Sequence, residues 1–149
     1  MPGFKSKIFI YTNSLEWGGK KKGKLTSPGK PDIEVSAPPE FSGHPGVWSP
    51  EDLFVASVNS CIMTTFLFFA QRQEIVLFSY ESRAEGILER VEKGYIFSRI
   101  NIEPVIYIGG ENQTGEIKEI IKRSEENCLI SNSIKSKVEV SPLIKQRKD

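Results

Sequence analysis

Residues 49–73, SPEDLFVASVNSCIMTTFLFFAQRQ, form a long apolar stretch in this 149-residue chain and decide its fold. Ser49 suits a helix N-cap and Pro50 suits the first helical position. Glu51 and Asp52 place negative charge at the positive end of the helix dipole. Two adjacent stripes follow at helical spacing, which are Phe54, Val58, Cys61, Thr65 and Phe68 in one and Val55, Ile62, Phe66 and Phe69 in the other. The stretch predicts a helix that is apolar on most sides, and we expect a second subunit to complete its cover.

Strand-like segments lie on both sides of this helix. Residues 7–12 and 32–36 precede it and are rich in β-branched and aromatic side chains. Residues 76–90 and 95–108 follow it as two long runs, and the short glycine-containing link between them predicts a hairpin. Residues 137–141 are predicted to form a final strand.

A second helix is predicted from Gly115. Its inward face carries Ile117, Ile120, Ile121 and, further along, Cys128. The predicted order is β-β-α-β-β-α-β, an α+β fold with antiparallel sheets and two main helices, because no regular βαβ alternation is present. We expect one domain over residues 1–149, with a frayed tail at 143–149.

Composition and charge exclude several classes of partner. The net charge is +1, so no general attraction to nucleic acid is expected. Five polar residues interrupt the apolar helix and argue against a membrane span, namely Ser57, Asn59, Ser60, Thr64 and Thr65. The N-terminus lacks the apolar core and cleavage site of a signal peptide, which predicts a cytoplasmic protein.

The chain has two cysteines, Cys61 and Cys128, which in a reducing compartment are thiols at rest. A cysteine on a buried helix face can simply be a small core residue. If the two helices pack together, however, the sulfurs could come within reach of a disulfide. His44 is the one histidine, and with two cysteines at these spacings it matches no zinc pattern, so no metal site is expected.

Two motifs carry a family resemblance. Pro50-Glu51-x-Leu53 is followed by Cys61 ten residues after the glutamate, and residues 126–131 read Glu-Asn-Cys-Leu-Ile-Ser. With the early Gly18-Gly19 turn and the long hairpin containing Gly86, this ordered set resembles the OsmC and organic hydroperoxide resistance family over almost the whole chain. The resemblance implies the OsmC-like fold, an intertwined homodimer and no metal or organic cofactor.

The resemblance also implies a thiol peroxidase of antioxidant defence. The Cys61 thiolate would attack the O–O bond of an organic hydroperoxide, release the alcohol and become a sulfenic acid. Cys128 would condense with the sulfenic acid to form a disulfide, and a dithiol of the lipoyl type would reopen it. The substrate would bind an apolar pocket formed by Phe54, Ile62, Met63 and Phe66.

Activation of Cys61 requires help, because burial raises the pKa of a thiol. In the family an arginine of the early hairpin, held by the glutamate at the helix start, supplies positive charge. Here Lys20 follows the Gly-Gly turn instead, with Lys21 and Lys22 as further candidates and Arg72 and Arg83 as more remote ones. Lysine lacks the bidentate fork of arginine and can lose its proton when buried. The lysines could equally be solvated turn residues.

Glu51 poses a problem of distance. Ten residues of one unbroken helix span ~15 Å, too far for its carboxylate to act beside Cys61. We therefore predict either that the helix breaks between them or that Glu51 serves the site of a partner subunit. A simpler interpretation gives Glu51 only the role of a favourable charge at the helix N-terminus.

Two alternatives to a peroxidase remain open from the sequence. The lysine in place of the arginine favours a hydrophobic-ligand-binding module of the same fold, whereas the retained pair of cysteines opposes it. In a purely structural alternative, both thiols are inert core.

Overall fold

The computed structural model describes residues 6–109 and 113–147. The chain divides into two compact units, Met1–Leu53 and Phe54–Asp149. The boundary falls in the first turn of helix α1, which extends over Pro50–Arg72. Each unit is described by itself.

The first unit contains a small antiparallel sheet of strands β1 (Ser14–Trp17), β2 (Lys22–Thr26) and β3 (Ile33–Ser36) in that order. A tight turn joins β1 to β2, with Gly19 at φ 99° and Lys20 at φ 51°. Glycine enters this left-handed region without steric cost, so it suits the turn. The predicted strand at 32–36 is confirmed as β3.

The predicted strand at residues 7–12 is wrong. This segment has no strand pairing within the described residues, and the four side chains from Ile8 to Tyr11 are 74–92% exposed. The first strand begins only at Ser14. Strand-forming residues make a sheet only where a neighbouring backbone accepts their hydrogen bonds, and propensity alone does not supply that neighbour.

The start of α1 is confirmed in detail. The Ser49 hydroxyl oxygen accepts a hydrogen bond from the Asp52 backbone N–H at 3.0 Å. In return, Asp52 Oδ2 accepts from the Ser49 backbone N–H at 2.9 Å. This reciprocal pair is a capping box, with aspartate in the place that glutamate usually takes, and it fixes the helix start.

The second unit contains the long hairpin of β4 (Leu77–Val91) and β5 (Gly94–Ile108), as predicted. Helix α2 (Thr114–Asn127) follows, and then β6 (Lys137–Val140) and β7 (Leu143–Gln146). Both β6 and β7 pair with β5 in parallel, so this sheet is mixed rather than antiparallel throughout. The α+β class is confirmed.

The tail differs from the prediction. The expected frayed segment at 143–149 instead begins with strand β7, whose Leu143 lies opposite Val105 in the sheet. Residues 148–149 lie outside the described part of the chain. The backbone pairing along β5 explains the order, because it satisfies polar groups that a free tail would leave to water.

Alternate residues of β5 build the core. Ile100, Ile102, Ile106 and Ile108 are buried on one face, as the two-residue period of a strand requires. Against them lie the α1 residues Val58, Ile62, Phe66 and Ala70 and the α2 residues Ile117, Ile120 and Ile121. The core thus sits between β5 and the two helices.

Helix α1 is only partly covered. By length and composition this helix could cross a membrane. An 18-residue stretch of it has a mean hydropathy of 1.8, and 22% of that stretch is buried within this chain. The core helix of a soluble protein passes the same test, so the expectation of no membrane partner stays a prediction. Phe68 remains 53% exposed and Leu67 36%, which leaves an apolar strip on the helix.

Gly86 lies where α1 packs closely on the hairpin. A Cβ atom added there would collide with the Val55 side chain of α1 and touch the Phe97 ring. We predict that Gly86→Ala lowers the free energy of unfolding by about 1–3 kcal/mol, since a packed core resists added volume. Urea unfolding followed by circular dichroism measures this change.

The matched control is Gly115→Ala in α2, where an added Cβ meets nothing within 4 Å. We expect this variant to be stabilised by roughly 0.5–1 kcal/mol, because alanine loses less backbone freedom in a helix than glycine. Equal stability of the two variants would contradict the close packing at Gly86.

Candidate active site

The two cysteines meet in one cluster. Cys61 lies midway along α1 and is partly buried, and Cys128 is fully buried. Both pack with Val58, Ile62 and the β5 isoleucines Ile100 and Ile102. The two side chains are free thiols in hydrogen-bonding contact. Residues 67 positions apart in sequence are thus neighbours in the fold.

The position of Cys128 differs in one respect from the prediction. It is not on the face of α2 but is the first residue after that helix, with an extended backbone at φ −69° and ψ 112°. Leaving the helix turns its side chain away from the Ile117 and Ile120 cluster toward Cys61. The predicted inward orientation is confirmed, but the helix ends one residue before it.

A tight turn after α2 holds Cys128. The Asn132 backbone N–H donates to the Cys128 carbonyl oxygen at 3.0 Å. The Ser133 hydroxyl donates to the Leu129 carbonyl oxygen at 2.7 Å. The Ser131 backbone N–H donates to Cys128 Sγ at 3.4 Å, in the manner of an N-cap side chain. We call residues 128–133 the thiol turn.

The environment of Cys61 favours its thiolate. Burial alone would raise the pKa of the Cys61 thiol, but hydrogen bonds outweigh this and lower it below its ordinary value. The donors are the Cys128 thiol, the backbone of Ile130, the hydroxyl of Thr65, whose Oγ1 is 3.9 Å from the sulfur, and the backbone of Leu129. Each is a neutral group, so these contacts stabilise the anion without a cation.

The environment of Cys128 instead favours its protonated thiol. Burial raises the pKa of its thiol, and the hydrogen bond and the charge of Cys61 raise it further. The hydroxyl and backbone N–H of Ser131 act in the other direction but do not outweigh these effects. When the pair loses its first proton, the charge is therefore on Cys61 and the remaining proton on Cys128.

Glu51 lies in the first turn of α1, and the helix continues without a break through Cys61. The predicted break is therefore wrong, because the capping box and the packed helix leave no irregular segment there. Glu51 Oε2 is buried and makes no hydrogen bond within the described residues. A buried carboxylate oxygen needs a compensating partner, so the prediction that Glu51 serves a second subunit stays open.

Lys20 lies exposed in the β1–β2 turn, where its carbonyl oxygen accepts a hydrogen bond from the Trp17 indole N–H at 2.7 Å. Its role beside Cys61 stays a prediction. Among the other candidates, Lys22 forms an ion pair with Glu34 at 3.1 Å.

The two remote candidates are engaged within the second unit. Arg83 pairs with Glu85 at 3.3 Å. The Arg72 guanidinium lies over the Phe68 ring, 5.3 Å from its centroid, at the end of α1. Neither contributes to the lowered pKa of Cys61 described above.

The predicted pocket residues separate into two groups. Ile62 and Phe66 have no exposed surface and belong to the core, because they lie on the α1 stripe that faces β5. They do not line an open pocket in this structure. Phe54 and Met63 are partly buried, and the Phe54 ring stacks on Phe97 with centroids 4.9 Å apart.

Sequence reasoning missed Thr65 and the thiol turn. Thr65 lies four residues after Cys61, on the same side of a helix, so its spacing could have identified it. The backbone donors of Leu129 and Ile130 carry no sequence signal, because every residue except proline offers one. Their importance follows only from the conformation of the turn.

We predict that Thr65→Val raises the pKa of Cys61, since valine matches the shape of threonine but offers no hydrogen bond. The variant is best made in Cys128→Ala protein, in which Cys61 is the single remaining thiol. Thiolate absorbance near 240 nm against pH gives the pKa, and alkylation by iodoacetamide at neutral pH should slow as the thiolate fraction falls.

Ser60→Ala is the matched control, because the Ser60 hydroxyl donates to the Ala56 carbonyl oxygen at 2.8 Å on the same helix. It should leave the titration of Cys61 unchanged. An identical curve for Thr65→Val would remove Thr65 from the site.

The pattern of the OsmC-like protein family matches residues 43–142. No curated protein matches. An OsmC-like protein of unknown function from Vibrio cholerae is similar in structure, with TM-score 0.85 and 23% identity over 91% of this chain and 100% of that one.

Two further similar structures carry functional names. An organic hydroperoxide resistance protein OsmC from Legionella pneumophila has TM-score 0.67 and 26% identity over 93% of this chain and 99% of that one. An organic hydroperoxide resistance protein from Elizabethkingia anophelis has TM-score 0.68 and 21% identity over 95% of this chain and 100% of that one. Since the family pattern covers more than half of the sequence and the fold agrees, this chain belongs to the family of OsmC-like proteins.

Proposed function

We propose that this chain is a thiol-dependent peroxidase that reduces organic hydroperoxides to alcohols. The observation that carries the proposal is that the chain's two cysteines lie in one cluster, where the pKa of Cys61 is lowered and the pKa of Cys128 is raised. Inert core thiols have no need of such a difference. The names of the Legionella and Elizabethkingia proteins support the same substrate class.

The first chemical step uses the anion on Cys61. Its sulfur attacks the distal oxygen of the hydroperoxide, the O–O bond breaks, and the alkoxide leaves and takes a proton to become the alcohol. Cys61 is left as a sulfenic acid. The partial exposure of Cys61 leaves it open to substrate, whereas Cys128 is fully buried.

The second step uses Cys128. Its sulfur attacks the Cys61 sulfur, the S–S bond forms, the S–O bond breaks, and the hydroxide leaves with the Cys128 proton as water. A dithiol of the lipoyl type then reduces the disulfide by exchange and becomes a cyclic disulfide itself. No metal or organic cofactor is needed in this cycle.

The proposed assembly is a cytoplasmic homodimer. Three features support a second copy: the exposed apolar strip of Leu67 and Phe68 on α1, the exposed segment from Ile8 to Tyr11, and the unpaired buried oxygen of Glu51. In this assembly Glu51 and Lys20 would organise charge near the thiolate. Phe54 and Met63 would form the apolar entrance for the substrate.

Intact-mass measurement tests the chemistry. Reduced protein treated with one equivalent of tert-butyl hydroperoxide should promptly lose the mass of two hydrogens, as the internal disulfide forms. Cys61→Ser should show no change. Cys128→Ser should stop at the gain of one oxygen, which dimedone traps as a sulfenic acid.

Turnover with dihydrolipoamide completes this test, since a catalyst must consume many equivalents of peroxide. An unchanged mass in the unsubstituted protein would contradict the peroxidase. It would favour the alternative, a hydrophobic-ligand-binding module, which the lysine in place of the family's arginine supports.

The assembly has its own test. Sedimentation should give twice the chain mass of 16.8 kDa. Phe68→Glu should weaken the dimer by at least tenfold in Kd, because it places a charge in an apolar interface. Gln73→Glu, which adds the same charge beyond the end of α1, serves as the control and should leave the dimer intact. A monomer at micromolar concentration would contradict the proposed assembly.

A further inference from the structure

The thiol turn contains a polar group that the two steps above leave without a task. The Ser131 hydroxyl oxygen is buried and makes no well-formed hydrogen bond among the described residues. It belongs to the residue whose backbone N–H already donates to Cys128 Sγ at 3.4 Å. A buried hydroxyl that lacks a well-formed hydrogen bond is costly, so it calls for an explanation.

The geometry points to Ser131 as the positioning residue for the resolving step, in which its hydroxyl turns toward Cys128 Sγ as that sulfur becomes an anion. This inference rests on the proposed function and deepens it. The hydroxyl and the backbone N–H of one residue then hold the same sulfur, so the anion gains two donors.

The order of events explains why the group is needed only later. In the reduced protein, burial raises the pKa of Cys128, and the hydrogen bond and charge of Cys61 oppose its ionisation further. Once Cys61 becomes a neutral sulfenic acid, that opposition ends. The contacts from Ser131 are then the ones that favour the Cys128 thiolate, because both of them lower its pKa.

The turn is built to keep this arrangement. Hydrogen bonds from the Asn132 N–H to the Cys128 carbonyl and from the Ser133 hydroxyl to the Leu129 carbonyl fix its backbone. The Ser131 hydroxyl takes no part in these bonds. Its removal should therefore leave the turn intact and affect the sulfur alone.

Two measurements test the role. In single-turnover reaction with tert-butyl hydroperoxide, Ser131→Ala should form the sulfenic acid at the normal rate but close the disulfide on the order of tenfold more slowly. Quenched samples analysed by mass with dimedone should then show sulfenic acid accumulating. Ser131→Thr, which keeps the hydroxyl, should restore the closure rate.

The second measurement does not require peroxidase activity. In Cys61→Ser protein, Cys128 is the single thiol, and Ser131→Ala should raise the pKa read from its thiolate absorbance. Ser133→Ala, which removes a hydroxyl of the same turn that donates to neither sulfur, is the control and should change that pKa less than Ser131→Ala does.

The outcomes separate the two proposals. If the unsubstituted protein fails to react with peroxide, the proposed function fails, and the titration alone decides whether Ser131 acts on Cys128. An unchanged pKa in Ser131→Ala, an equal change in Ser133→Ala, or equal slowing of both chemical steps would overturn the role of Ser131.

Discussion

The contact between the thiols of Cys61 and Cys128 is the interaction on which the interpretation of this fold depends. It joins the middle of one helix to the residue after the end of another. The isoleucines of β5 support both sides of this contact, since Ile100 and Ile102 pack in the same cluster as the two sulfurs. Strand β5 therefore serves as the base on which the site is assembled.

The same contact also helps to stabilise the negative charge of a Cys61 thiolate. A buried thiolate is unfavourable, because burial raises the pKa of a thiol. Several neutral donors lower the pKa of Cys61, and two of them are backbone groups of the thiol turn. Because the donors are fixed by the turn, they cost no rearrangement when the anion forms.

Much of this architecture could be predicted from the sequence. Ser49, Pro50 and the two acids after them predicted the start of α1, and the glycine-containing link predicted the long hairpin. Failures arose where pairing partners decide the outcome: residues 7–12 have strand propensity but no pairing partner among the described residues, whereas residues 143–146 pair with β5 despite a weak signal. Local sequence patterns do not specify which strand will pair with a given segment.

The site, like the fold, could be predicted in part. The two cysteines stood out because they are the chain's only ones and because they match the motifs of a family. Ile62 and Phe66 were assigned to a pocket because the sequence of a helix that is apolar on most sides does not show which stripe faces the sheet. The motif at residues 126–131 was recognised, but the hydrogen-bonding role of the thiol turn was not, since its donors are backbone groups whose direction depends on the fold.

The unequal sharing of one proton between two sulfurs is the central claim, and NMR titration of protein labelled with carbon-13 at the cysteine Cβ atoms tests it most directly. The account predicts coupled curves, in which Cys61 ionises first at a pKa below its ordinary value and Cys128 follows at a pKa above it. Two independent titrations at the ordinary pKa of a free thiol would contradict it.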